Sequence, residues 1–196
     1  MPEITDLIQL CRFAGERFDL VQSTAGNASL KVGDTLWIKA SRVALSDVSS
    51  ESDLCELQQR PLLEFLADNA DADENTPTAE LDEAAKECIA AANRTKSTRP
   101  SNETFLHALL GTLTLHTHPP VVTSIVCQRG WKEKISTQIP EALFVDYYTP
   151  GARLALALSE TLKSSGWEPG NRGQPWPARS CAVLRDERVF LNLPDE

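Results

Sequence analysis

Residues 112–120 read Thr112-Leu113-Thr114-Leu115-His116-Thr117-His118-Pro119-Pro120. Polar and apolar side chains alternate from Thr112 to His116, which is the period of a β-strand. The two prolines that follow cannot donate to a sheet ladder, so they stop the strand. Residues two apart on a strand project to the same side. His116 and His118 therefore present two imidazoles together at the strand's end. Such a pair is half of a divalent metal site, or else two partly exposed histidines at a strand terminus. The chain holds only three histidines. Apart from His107, any further ligand must be Asp, Glu, Cys or water.

Immediately upstream, Arg99-Pro100-Ser101-Asn102-Glu103 is a polar loop. Ser101 is expected to cap a helix running from about Asn102 to Leu110. That helix would return Glu103 near the end of the strand. His107 lies four residues after Glu103, a spacing that allows the two to pair on one helical face. It reads as a packing or supporting histidine rather than a ligand.

Further out, apolar residues at Ile4, Leu7, Ile8, Cys11, Phe13, Ala14 and Phe18 predict an amphipathic helix over 4–20. Ser23 to Ser29 is a small polar loop with Gly26 and Asn27 as turn formers. Residues 28–32 and 35–39 read as strands joined at Gly33-Asp34, and 55–57 as another. The acidic stretch 68–77 reads as a surface loop, and the Ala-, Glu- and Lys-rich stretch 79–92 as a helix. After the histidine strand come a short helix (121–127), a strand within 141–148, a turn at Pro150-Gly151 and a helix (152–164). Residues 166–177 read as loop, and strands 182–184 and 189–191 flank a charged turn, 185–188. Helices and strands alternate irregularly, which places the chain in the α/β or α+β classes.

Composition narrows the function. The 196 residues are 41% apolar and 24% charged, enough for a core without disulfide staples, and they read as a single domain, 1–196. A net charge of -9 argues against a nucleic-acid binder, which needs a basic face. No apolar run suggests a membrane span, and the first residues lack the features of a signal peptide. The five cysteines are scattered with no C-x-x-C pair, as expected of reduced thiols in a cytoplasmic protein.

Three segments together resemble the class II aldolase/adducin family, in particular the aldolase half of bacterial bifunctional aldolase/short-chain dehydrogenase proteins. The first is Thr24-Ala-Gly-Asn-Ala-Ser29 followed by Leu36-Trp-Ile-Lys-Ala-Ser41. The second is Arg99 to Leu110 followed by Leu115-His-Thr-His-Pro119. The third is Tyr148-Thr-Pro-Gly151 with the helix after it. The resemblance implies a three-layer α/β/α sandwich around a central, mostly antiparallel sheet. It also implies a homotetramer with active sites between subunits, and a small-molecule substrate.

The chemistry implied is that of a divalent-metal-dependent aldolase-type lyase. Its substrate would be a small hydroxy-carbonyl compound, such as a phosphorylated sugar, cleaved through a metal-stabilised enediolate. By position, His116 and His118 match metal ligands and Glu103 matches the acid/base. Thr24, Gly26, Asn27, Ser41 and Ser101 fall where the family holds a substrate phosphate. Zinc is the expected metal, with manganese or iron as alternatives.

Two departures mark this chain. Glu187 stands where the family has its third histidine, so a carboxylate is the expected third ligand, with a charged surface turn as the other reading. Arg42 stands where the phosphate loop has a glycine, and would either grip an anion or block the loop. The C-terminus is also short of the family's last helix. These departures keep open a non-catalytic, adducin-like binding or assembly domain. The shared chemistry also leaves an epimerase or dehydratase open.

Overall fold

The computed structural model describes residues 2–72, 76–167, 181–184 and 189–193, the last two segments by their backbone. The first element is helix α1 (Ile4–Gly15). It is shorter than the predicted 4–20 because the chain turns at Gly15, where a Cβ would stand 2.1 Å from the backbone nitrogen of Ser46. Phe18, the apolar residue that carried the prediction beyond Gly15, faces solvent instead, at 83% exposure.

Strands β1 (Asn27–Val32) and β2 (Thr35–Lys39) form the expected hairpin, paired through Val32 and Thr35 across Gly33-Asp34. Two short 3-10 turns lead into β3 (Leu54–Gln58). Helix α2 (Gln59–Asp68) follows, which the sequence reading did not anticipate. Pro61 looks like a breaker there, but it sits in the first helical turn, where no N–H is needed. Helix α3 (Thr78–Ala92) lies where its composition predicts.

The next helix, α4 (Thr104–Leu109), begins later than expected, and Glu103 rather than Ser101 occupies its cap position. Ser101 still organises the entry, because its hydroxyl accepts the Glu103 backbone N–H at 3.2 Å. Strand β4 (Leu113–Thr117) carries the histidine motif. Helix α5 (Pro120–Val126), an unforeseen helix α6 (Trp131–Ser136), β5 (Leu143–Val145) and α7 (Ala152–Ser164) follow. Strands β6 (Cys181–Leu184) and β7 (Val189–Leu193) close the described chain.

The seven described strands make one sheet in the order β3-β2-β1-β4-β7-β6-β5. Every pairing is antiparallel except β5 with β6. The two-residue period sorts side chains to opposite faces. Ala28, Leu30, Leu113 and Leu115 pack with Leu7, Cys11 and Ala14 of α1. Burial pushes the Cys11 thiol up to about 12, so it packs as a neutral group. On the other face, Leu36, Ile38, Cys55 and Leu57 join the core built with α2, α3, α4 and α7. Helices thus cover both faces of a largely antiparallel sheet, the α/β/α sandwich expected. Among the described residues, no helix is long and apolar enough to cross a membrane.

Candidate metal centre and cavity

β4 lies inside the sheet, between β1 and β7, and His116 is in register with Asn27 on one side and Phe190 on the other. Its side chain is fully buried, so the reading of two partly exposed histidines fails for it. His118 is half-buried just past the strand, where its backbone N–H donates to the Leu20 carbonyl at 2.8 Å. The two imidazole rings stand with centroids 4.8 Å apart.

Glu103 meets this pair from the start of α4. Its Oε2 lies 3.1 Å from His116 Nδ1. One donor atom from each of Glu103, His116 and His118 falls within 4.8 Å of the others. Two imidazoles and a carboxylate converging this closely form a donor set that suits zinc and related divalent ions. The residues present therefore fit the metal that the resemblance implies. Glu187, the expected third ligand, lies outside the described residues.

His107 sits behind the cluster, fully buried, with Nδ1 2.7 Å from Ser29 Oγ of β1. Burial first, and then the neighbouring His116, push its pKa well below 6.5, so it is a neutral imidazole. It fills the supporting position expected from sequence.

Beside the cluster is a cavity of about 370 Å³. Thr24, Gly26, Asn27, Ser41 and Ser101 all line it, together with Glu103 and His118. The fold thus brings the residues matched to the family's phosphate site into one space. Gly26 is required there. Its φ is +76°, and a Cβ would stand 2.9 Å from the His116 carbonyl oxygen.

Sequence reasoning missed Lys39. It is 2% exposed, yet it lines the cavity. Its ammonium donates to the carbonyls of Val43 at 2.6 Å and Ala40 at 3.3 Å. Burial lowers its pKa, and the charge of Glu103 works in the opposite direction. The available signal was a lysine at the end of an otherwise largely apolar strand, Leu36-Trp37-Ile38-Lys39.

Comparison with known proteins agrees with this architecture. The N-terminal class II aldolase domain of a conserved protein from Thermoplasma acidophilum has a similar structure. It shows 22% sequence identity and a TM-score of 0.75, covering 98% of this chain and 84% of that one. L-fuculose-1-phosphate aldolase from Thermus thermophilus is also similar, at 16% identity and a TM-score of 0.57, covering 98% and 80%. At these identities the likeness establishes the fold. No curated protein matches the sequence significantly. The profile of the class II aldolase and adducin N-terminal domain matches residues 5–173. The chain therefore belongs to the class II aldolase/adducin family.

Proposed function

We propose that this protein is a divalent-metal-dependent aldolase-type lyase acting on a small hydroxy-carbonyl compound. The observation that carries the reading is the convergence of Glu103, His116 and His118 beside a cavity of about 370 Å³. In this reading His116, His118 and Glu187 hold the metal, zinc first among the candidates. A divalent ion there supplies a Lewis acid for the negative charge that develops on a substrate oxygen.

The protein's own groups do the rest. In the cleavage direction Glu103 takes the proton from the substrate hydroxyl as the carbon–carbon bond breaks. It then returns a proton to the carbon left beside the carbonyl. The burial of His116 keeps the ligand strand dry, with the neutral imidazole of His107 packed behind it. Thr24, Gly26, Asn27, Ser41 and Ser101 bind the far part of the substrate with hydroxyls, an amide and backbone N–H groups.

The test is an assay of the metal-loaded protein on a panel of small hydroxy-ketones and hydroxy-acids, with and without a phosphate. Nuclear magnetic resonance would follow both cleavage and deuterium exchange at the carbon next to the carbonyl. Cleavage of at least one compound that stops on metal removal is the expected result. Bound metal with neither cleavage nor exchange on any compound would move the protein to the non-catalytic, adducin-like reading.

A further inference from the structure

Helix α7 starts at Ala152, and Gly151, which holds the cap position, has no side chain to cap it. The first N–H groups of a helix find no partner within it. Here the Ala152 N–H donates to Asp82 Oδ1 at 3.2 Å, a carboxyl oxygen that α3 delivers from 70 residues away in the chain. A carboxylate suits that place, because aligned peptide dipoles leave the start of a 13-residue helix partly positive.

The fit around Asp82 is close. Gly151 has a φ of +153°, and a Cβ there would stand 2.6 Å from Asp82 Oδ1. Glycine alone lets the chain pass the carboxyl group at this distance. Arg153 ties the same two elements together one residue further on. Its Nε donates to Thr78 Oγ1 at 3.0 Å, and its Nη2 donates to the Thr76 carbonyl. Three hydrogen bonds therefore clamp the start of α7 to the chain around the start of α3.

The clamp holds part of the site. Pro150 and Gly151 line the cavity that Glu103 and His118 also line, whereas Thr76, Thr78 and Asp82 do not. Among the described residues, Tyr148, Thr149 and Pro150 make no hydrogen bond of their own. The position of this wall is therefore set at its far end, where Gly151 and Ala152 meet Asp82.

We propose that Asp82 is a positioning residue of the site: by accepting the Ala152 N–H it holds the Pro150-Gly151 wall in place for the substrate. The inference rests on the function proposed above, because it takes the cavity as the substrate's seat.

The experiment compares the zinc-loaded full chain with its Asp82→Ala and Asp82→Asn variants. Asparagine keeps an acceptor oxygen, and alanine removes it. Amide hydrogen exchange reads the freedom of the Ala152 N–H. Calorimetry reads the affinity for two hydroxamates, which chelate a divalent ion through two oxygens. Acetohydroxamate brings only a methyl group into the adjoining cavity, and benzohydroxamate brings a ring that needs the space between its walls. Metal content and thermal unfolding are measured alongside.

Asp82→Ala should speed exchange at Ala152 about tenfold or more. It should weaken benzohydroxamate binding about fivefold or more and leave acetohydroxamate within about twofold, because a wall that must be ordered on binding costs affinity only for a ligand that touches it. Asp82→Asn should restore most of both, with metal content unchanged throughout. Ile135→Ala is the control, in a hydrophobic cluster that lines no part of the cavity; it should lower the melting temperature and leave both affinities alone. Exchange at the wild-type rate in Asp82→Ala, equal losses for the two hydroxamates, or no loss for either, overturns the proposal. A wild-type chain that takes up no zinc removes the enzyme reading instead, and exchange at Ala152 then decides this inference by itself.

Discussion

Glu103 Oε2 stands 3.1 Å from His116 Nδ1, so a carboxylate at the start of α4 faces an imidazole buried in the sheet. One residue comes from a helix entry and the other from an interior strand, and their meeting defines the candidate centre. If Glu103 carries protons for the reaction, Glu103→Gln keeps the shape and removes the base. Proton exchange next to the substrate carbonyl should drop about 10²- to 10⁴-fold. Exchange at the wild-type rate would remove Glu103 from the chemistry.

The same 3.1 Å approach makes Glu103 a competitor of Glu187 for the role of third ligand. Glu187→Ala should weaken zinc binding by more than the roughly 10- to 100-fold typical of losing an outer partner. Glu103→Gln should weaken it less. Competition with a chromogenic chelator measures both. The reverse order would assign the ligand to Glu103 and leave Glu187 as a turn residue.

Gly26→Ala should damage both stability and site. The new Cβ would stand 2.9 Å from the His116 carbonyl oxygen and 2.7 Å from Val21 Cγ1, at a φ of +76°. Left-handed strain and overpacking together predict a loss of about 2–4 kcal/mol in urea unfolding. The displaced backbone of His116 should also lower metal uptake. A stability change within about 0.5 kcal/mol would contradict the close approach.

His107 predicts a pH dependence. Its pKa in the fold is well below the 6.5 it has when solvated, because burial disfavours the imidazolium. The unfolded chain therefore takes up the proton first as pH falls. His107's contribution to stability is complete above about pH 6.5 and is lost as pH falls from there toward the depressed folded value, with a slope of at most about 1.4 kcal/mol per pH unit. His107→Gln should flatten this part of the acid limb in urea melts of the metal-free protein. An acid limb of unchanged slope would mean that His107 is not the group responsible.

Much of the fold was legible because its signals are local. The Gly33-Asp34 hairpin, the Ala-rich α3 and the Pro150-Gly151 entry to α7 each carry their own turn or propensity signature. The misses have physical causes. Pro61 in the first turn of α2 imitates a break. Phe18 imitates a longer α1, although it lies beyond Gly15 and faces solvent. For the site, the His-Thr-His spacing showed the pair, but not that His116 is fully buried between two strands. Lys39 stayed hidden because its cavity position depends on a loop folding back over its own ammonium. Such a closure is not encoded in any short-range pattern.

The central claim is that Glu103, His116 and His118 mark a metal site. The most direct measurement is elemental analysis of the full chain purified without an affinity tag, with His116→Ala in parallel. The account predicts about one divalent ion per chain in the wild type, and its loss in a folded His116→Ala variant. A wild-type chain that stays metal-free in excess zinc and manganese would contradict it.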